Sequence, residues 1–194
     1  MYHKADLRRQ NLKLRESMAL TEYSVKSSLV CDRLTRTMDE SPPSLLLAYS
    51  PIKNEVDISP VSLMSHEQGI PYAIPLININ NRHMDFYLIN PSHELIHNKF
   101  GIKEPVPSNE HIVTDEMLRW GNVICLIPAV AFDLRGNRIG YGKGFYDTFL
   151  HRYPHITKIG LAFEFQIVYE IAHSTHDIPM DMIITDRRVI KVKG

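Results

Sequence analysis

A glycine-rich segment carries the residue types best suited to chemistry. Four of the chain's nine glycines lie within nine positions, at 136, 140, 142 and 144. Glycine has no Cβ, so its backbone N–H group can approach a ligand closely, and N–H groups at the start of a helix bind anions. Arg138 and Lys143 add the positive charge that phosphate binding requires. From these residues alone, a phosphate site and a tight turn are equal alternatives.

A carboxylate follows this segment, because Asp147 lies three residues after Gly144. At this position it could hold a hard cation such as Mg²⁺ beside a phosphate. Known phosphate motifs do not fit. A Walker A loop has Ser or Thr after its lysine, where this chain has Gly144, and the dinucleotide pattern G-x-G-x-x-G needs glycine where Phe145 stands. The spacing therefore assigns the loop to neither nucleotide-binding class.

The first part of the chain predicts helices. Thr21 is expected to cap the second of them, and Ser59, followed by a proline, is expected to cap a third that stops at Gly69. Over the first 40 residues, apolar side chains recur at helical spacing and are expected to face the core: Leu7, Leu14 and Met18 in one helix, and Leu29, Val30, Leu34 and Met38 in the next.

The apolar runs farther along predict strands at 45–49, 72–77, 84–89, 123–131, 156–163, 182–184 and 189–192. Helices are expected over 145–152 and 166–171, and a long loop over 90–112. Strands that alternate with helices indicate an α/β fold with a mainly parallel sheet. Because ligands collect at the carboxyl ends of parallel strands, the segment after 123–131 is the expected site.

The composition is that of an ordinary globular protein, with 194 residues, 44% of them hydrophobic and 23% charged, and it predicts one domain, 1–194. Lys and Arg total 22, as do Asp and Glu, which argues against a dedicated nucleic-acid-binding protein. Residues 1–36 hold eight basic and four acidic residues, and 118–158 hold six and two. These segments either converge on one anionic ligand or form solvated helix faces.

The cysteines and the N-terminus indicate the compartment. Cys31 and Cys125 have no metal-ligand spacing and form no disulfide framework, so both are expected to be buried. The N-terminus lacks a signal-peptide pattern, and no run approaches the ~20 apolar residues of a membrane span. We therefore expect a soluble, cytoplasmic protein.

The glycine-rich segment also resembles a known family. Residues 128–147 read PAVAFDLRGNRIGYGKGFYD, which closely resembles the signature of the 5-formyltetrahydrofolate cyclo-ligases, also called methenyltetrahydrofolate synthetases. This signature is highly specific. Weaker segments match in the family's order and extend the resemblance over nearly the whole chain: 4–8, 49–57, 101–105, 160–166 and 176–177.

The resemblance implies a fold and a reaction. The fold is a single-domain, three-layer α/β sandwich with a mainly parallel sheet, similar to the sugar-phosphate isomerase and CoA-transferase type. The reaction converts 5-formyltetrahydrofolate and MgATP to 5,10-methenyltetrahydrofolate, ADP and phosphate. The formyl oxygen is phosphorylated, N10 of the folate attacks the activated carbon, and phosphate leaves. Phosphoryl transfer of this kind depends mainly on positioning and charge neutralisation.

Matching residue by residue, the resemblance implies a set of functional roles. The catalytic cations are Lys143 and Arg138, and the magnesium ligands are Asp147 and Asp177. The folate contacts are Ser50, Glu55, Tyr141 and Phe145, with Glu55 bonding the polar edge of the pterin ring. The ATP contacts are Lys4, Arg8, Arg138, Gly140, Tyr141, Gly142, Lys143, Gly144, Phe145 and Tyr146.

Two other functions are open alternatives. A non-catalytic paralogue would bind folate or nucleotide, although none of the matched cations and carboxylates is missing. A nucleic-acid-binding module would need a basic stripe, which the sequence lacks. We therefore expect a small-molecule substrate, no nucleic-acid or membrane partner, and a monomer. His173 and His176 have no third ligand at a spacing that suits zinc, so we take both as non-ligands.

Overall fold

The computed structural model describes residues 4–78, 83–98 and 101–192. Five α-helices lie in this part of the chain: α1 (Lys4–Glu16), α2 (Leu20–Glu40), α3 (Ser59–Glu67), α4 (Asp115–Arg119) and α5 (Phe145–Arg152). A short 3-10 helix covers Glu164–Gln166. The predicted helices in the first 40 residues and over 145–152 are confirmed.

The strands of the described residues form three sheets. They are β1 (Leu45–Leu47), β2 (Tyr72–Asn78), β3 (His83–Ile89), β4 (Leu95–His97), β5 (Lys103–Pro105), β6 (Val123–Pro128), β7 (Ala131–Asp133), β8 (Arg138–Ile139), β9 (Thr157–Leu161), β10 (Ile167–Val168), β11 (Met182–Ile184) and β12 (Val189–Lys191).

The central sheet has seven strands in the order β12-β11-β9-β6-β1-β2-β3. Its inner pairs, from β11 to β2, are parallel, and the two edge pairs are antiparallel. The remaining strands form the small sheet β10-β7-β8 and the hairpin β4-β5. The predicted α/β fold with a mainly parallel sheet is confirmed.

Helices cover both faces of the central sheet. Leu45 and Leu47 of β1 lie in the apolar cluster with α4 and α5, whereas Leu46 lies in the cluster with α2 and α3. This alternation follows from the two-residue period of a strand, and it produces three layers. The likeness to the sugar-phosphate isomerase and CoA-transferase type stays a prediction.

Several local predictions are wrong. Leu14 and Leu29 are 42% and 39% exposed, because each helix presents a neighbouring position to the core. The cap of α2 is Ala19 rather than Thr21, and Ile58 precedes α3 where Ser59 was expected. Thr21 and Ser59 both lie one or two residues inside their helices, a typical uncertainty at helix ends.

The loop regions also differ from expectation. The segment 90–112 contains the hairpin β4-β5, and 166–171 forms no α-helix, because β10 pairs there with β7. The predicted run 123–131 is divided between β6 and β7. The polar segment 78–81, expected to separate the strands at 72–77 and 84–89, lies outside the described residues except for Asn78, which ends β2. Cys31 and Cys125 are buried free thiols, as predicted. In the described ranges, no helix combines the length and apolarity that crossing a membrane requires.

Candidate active site

The glycine-rich loop leaves β7 through a turn that a buried carboxylate organises. Asp133, which is fully buried, accepts hydrogen bonds from the backbone N–H groups of Arg135, Asn137 and Ile171 at 2.9 Å each. Gly136 has a φ of +84°, and a Cβ there would lie 2.6 Å from the carbonyl oxygen of Met180. Only glycine fits this position, so the turn directs β8 and the loop after it along one path.

The start of α5 is suited to an anion. Gly144 precedes the helix with a left-handed φ of 72°, and no side chain caps the helix. The first N–H groups of a helix have no partner within it, so those of Phe145, Tyr146 and Asp147 are available to a ligand. Gly142 is also left-handed, at φ 81°. The loop thus presents backbone donors at the positive end of a helix.

Helix α1 lies against this loop along one polar face. Lys4 lies 3.5 Å from a carboxylate oxygen of Asp177, and Arg8 donates from Nε to the carbonyl oxygen of Gly140 at 3.0 Å. One and two turns farther along, Asn11 donates to the carbonyl of Val130 and Arg15 contacts the loop. Positions 4, 8, 11 and 15 share one helix face. The two basic segments of the sequence therefore meet here.

The predicted magnesium ligands lie close to each other in the fold. The Asp147 carboxylate accepts from Arg138 at 2.6 Å and from the backbone N–H of Ile178 at 3.2 Å, directly after Asp177. Burial raises the pKa of Asp177, but the Ser174 N–H and the Lys4 ammonium outweigh it and lower that pKa below its usual value. Each carboxylate is thus paired with a cation. In the described ranges, no group of three or more His, Cys, Asp or Glu could hold a metal ion.

The two predicted catalytic cations differ in their surroundings. The Arg138 side chain is 8% exposed, and besides Asp147 it bonds the carbonyl oxygen of Ile178 at 2.8 Å. Lys143 lies at the tip of the loop and is exposed. Within the described part of the chain, its ammonium group has no ion-pair partner. Lys143 is therefore free to meet a ligand, whereas Arg138 holds Asp147 in place.

The Glu55 side chain is held inward by a tight turn over 52–55. Lys53 and Asn54 both have positive φ, 47° and 53°, the geometry of a type I′ turn. The Ile52 backbone N–H donates to a Glu55 carboxylate oxygen at 3.1 Å, and the residue is 4% exposed. Burial raises the pKa of Glu55 to about 7, although Arg15, the Ile52 N–H and Tyr141 act against the rise.

Tyrosines surround this carboxylate. The Tyr141 hydroxyl accepts a hydrogen bond from Arg15 at 2.6 Å, and burial together with the Glu55 charge raises the pKa of Tyr141 to about 12. The Tyr49 hydroxyl donates to the carbonyl of Val56 at 2.9 Å. Burial raises the pKa values of Tyr49 and Tyr146, and the Glu55 charge adds to both. All three phenols are therefore neutral hydrogen-bonding groups at physiological pH.

The remaining predicted residues are placed as follows. Phe145 lines a cavity of about 230 Å³ between β3 and α5, together with Met84, Phe86 and Phe149. Ser50 follows the buried Tyr49 and is half-buried. Two further aromatic residues near the site, Phe132 and Tyr49, are core residues, since they are 0% and 3% exposed.

Sequence reasoning missed Arg15 and Asn11. Both are buried on α1, at 0% and 3% exposed. The signal was present, because polar residues at 4, 8, 11 and 15 repeat at helical spacing. The apolar residues Leu7 and Leu14 instead predicted that the neighbouring face is buried. An arginine in the last turn of a helix is usually solvated.

The fold and the site define an α/β protein with a glycine-rich loop after the central strands, whose backbone donors suit an anion, and a buried carboxylate beside it. Residues 1–186 match the model of the 5-formyltetrahydrofolate cyclo-ligase family. The chain therefore belongs to this family, and the assignment made from residues 128–147 is confirmed.

Comparisons with individual proteins agree with this family assignment. A probable 5-formyltetrahydrofolate cyclo-ligase of Schizosaccharomyces pombe is 30% identical over 152 residues, covering 72% of each chain. The mouse cyclo-ligase is 30% identical over 142 residues, covering 69% of this chain and 68% of its own. The solved structure of Aquifex aeolicus 5,10-methenyltetrahydrofolate synthetase is 29% identical and superposes with a TM-score of 0.81, covering 98% of this chain and 93% of that one.

Proposed function

We propose that this chain converts 5-formyltetrahydrofolate to 5,10-methenyltetrahydrofolate in a reaction that consumes ATP and requires Mg²⁺. One observation carries the proposal beyond family membership: Arg15 lies 3.8 Å from the buried Glu55 carboxylate and donates a hydrogen bond to the Tyr141 hydroxyl of the glycine-rich loop at 2.6 Å. A carboxylate suited to the pterin edge therefore lies beside a loop suited to phosphate. We further propose one cyclo-ligase domain over 1–194, acting as a cytoplasmic monomer.

The ATP phosphates fit the start of α5. The N–H groups of Phe145 and Tyr146 have no helical partner, and the left-handed Gly144 exposes them. The free Lys143 ammonium would neutralise charge on the phosphoryl group during transfer. Arg8 approaches the loop from α1, with its guanidinium 3.8 Å from where a Cβ of Gly142 would lie.

A magnesium ion fits this site only together with ATP. Magnesium is usually held by one or two carboxylates, with phosphate oxygens and water completing its shell. Asp147 and Asp177 supply the two carboxylates, each paired with a cation, Arg138 and Lys4 respectively. Phosphate offers these cations another anion, which would leave both carboxylates available to the metal.

The folate fits the side of the loop that carries Glu55. An ionised carboxylate there accepts from the adjacent N–H groups of the pterin ring. Ser50 lies three residues after the end of β1, in the segment leading to this turn, and Phe145 lines the cavity between β3 and α5. These positions support the predicted substrate contacts, with Tyr141 shared between the folate and nucleotide sides.

The chemistry needs two steps at one carbon atom. Phosphorylation of the formyl oxygen by ATP releases ADP and turns that oxygen into part of a good leaving group. N10 then attacks the formyl carbon and loses its proton, the C–O bond breaks, and phosphate leaves with the oxygen. The protein contributes positioning and charge neutralisation.

The test is the absorbance rise that accompanies formation of the more conjugated methenyl product. We expect a rise only when 5-formyltetrahydrofolate, ATP and Mg²⁺ are all present, with one ADP formed per product. No rise from folded protein that still binds folate would favour a non-catalytic paralogue. No rise and no folate binding would assign the loop to another phosphorylated ligand.

A further inference from the structure

Arg15 is a fully buried arginine at the end of α1, 0% exposed. Its Nη2 donates to the Tyr141 hydroxyl oxygen at 2.6 Å, and its Nη1 lies 3.8 Å from a Glu55 carboxylate oxygen. Nη1 also donates to the carbonyl oxygen of Ala129 at 3.4 Å. One guanidinium thus joins α1 to the turn that carries Glu55 and to the glycine-rich loop.

The Arg15 guanidinium is shared between the Tyr141 hydroxyl and the Glu55 carboxylate. It donates to the hydroxyl through Nη2, and its Nη1 forms an ion pair with the carboxylate at 3.8 Å. Because a guanidinium carries several N–H donors, the three side chains form a connected chain, Tyr141–Arg15–Glu55. The Lys53 ammonium covers the tyrosine ring at 5.4 Å. Movement of any one member would be transmitted to the others.

A role in stability alone accounts poorly for this arginine. Burying a charge costs several kcal/mol unless its pairing is close and complete. Here the pair distance to Glu55 is 3.8 Å, and the buried Nε of Arg15 has no hydrogen-bond partner within the described part of the chain. The bond that ties α1 to the Glu55 turn, from Asn54 Nδ2 at 2.9 Å, uses the Arg15 backbone carbonyl. It would survive a change of side chain.

We propose that Arg15 is a positioning residue that holds the Glu55 carboxylate ready for the pterin ring and ties it to the nucleotide loop through Tyr141. The proposal deepens the proposed function and rests on it for the identity of the ligand. Arg15 does not itself touch the reacting atoms. It acts through Glu55, and its removal should affect folate more than ATP.

The electrostatics support this role. Burial raises the pKa of Glu55 to about 7, and the Arg15 charge is the largest influence in the opposite direction. Without that charge the pKa rises further, so a smaller fraction of Glu55 is ionised at pH 7. At a pH well below the pKa of Glu55, each further unit by which the pKa rises lowers the ionised fraction about tenfold. The ionised form is the one that accepts two pterin N–H bonds.

The experiment compares two variants. Arg15→Met removes the charge at similar side-chain length, and Arg15→Lys keeps the charge but loses the planar set of N–H donors of the guanidinium. Steady-state kinetics are measured from pH 6 to 9 with each substrate varied in turn. For Arg15→Met we expect the pH dependence of the folate KM to move upward by about one unit, so the KM at pH 7 should rise about fivefold. The ATP KM should change far less, and Arg15→Lys should restore much of the pH dependence.

A matched control is Lys158→Met. Lys158 is also a buried cation, 8% exposed, paired with Asp181 at 2.9 Å and bonded to the carbonyl of Ile156. It lies on β9, outside the proposed site. Its removal should lower stability without changing the folate KM or its pH dependence. Equal kinetic effects from Lys158→Met and Arg15→Met would overturn the proposal.

A second readout does not depend on activity. The ¹³C NMR signal of the Glu55 carboxyl, assigned by its loss in Glu55→Gln, is titrated in the wild type and in Arg15→Met. We expect the midpoint to move to higher pH in the variant, and an unchanged midpoint would refute the coupling. If the wild type lacks cyclo-ligase activity, the proposed function fails, while this titration still decides whether Arg15 controls Glu55.

Discussion

The buried Glu55 carboxylate should make the stability of this protein fall as pH rises. Its pKa is about 7 in the folded chain against an ordinary value of 4.5. Between these two values the folded state binds more protons than the unfolded state, so the free energy of unfolding decreases as pH increases. The stabilisation is complete below pH 4.5 and is lost as pH passes through about 7.

The size of the effect follows from the shift. A difference of 2.5 between the two printed values, at about 1.4 kcal/mol per unit, corresponds to about 3 kcal/mol. The substitution Glu55→Gln keeps the shape but removes the titration. It also leaves the buried Arg15 without a counter-charge, which costs stability equally at every pH because arginine stays protonated. The informative quantity is therefore how the difference in the free energy of unfolding between Glu55→Gln and the wild type changes with pH.

The assay is urea unfolding of both proteins at several pH values from 4.5 to 8.5. As pH rises from 4.5 to 8.5, we expect the free energy of unfolding of Glu55→Gln to increase by about 3 kcal/mol relative to that of the wild type. Other titrating groups are common to both proteins and cancel. The control is Glu110→Gln, since Glu110 is exposed, and its difference should stay flat. Parallel curves for Glu55→Gln and the wild type would refute the reasoning.

Three further predictions concern the loop and the core. Lys143→Ala should lower kcat about 10²–10³-fold with an unchanged urea midpoint; activity equal to that of the exposed-lysine control Lys191→Ala would remove Lys143 from the mechanism. Asp147→Asn should raise the Mg²⁺ concentration needed for half-maximal activity, and a titration that matches the wild type would show that Asp147 only anchors Arg138. Gly160→Ala should cost about 1–3 kcal/mol in urea unfolding, because the new Cβ would lie 2.6 Å from the Phe132 ring; an unchanged midpoint would mean that this ring moves aside.

Local patterns in the sequence determined much of this protein. The apolar runs are strands because their residues are buried on both faces of a parallel sheet. The glycine spacing over 136–144 led to the loop, and left-handed backbone at Gly136, Gly142 and Gly144 explains why glycine stands at those positions. The specific signature over 128–147 was enough to identify the family, since it depends on residue identity alone.

Tertiary structure decided which polar side chains act together. The helical spacing of positions 4, 8, 11 and 15 places Arg15 on one polar face of α1, but nothing local shows that this face is buried. Arg15 is buried because its partners lie 114 and 126 positions away, at Ala129 and Tyr141. The same holds for Glu55, whose carboxylate points inward only because a left-handed turn directs it toward α1 and the loop. Burial and pairing depend on contacts distant in sequence, so the elevated pKa of Glu55 and its link to the loop follow only from the folded arrangement.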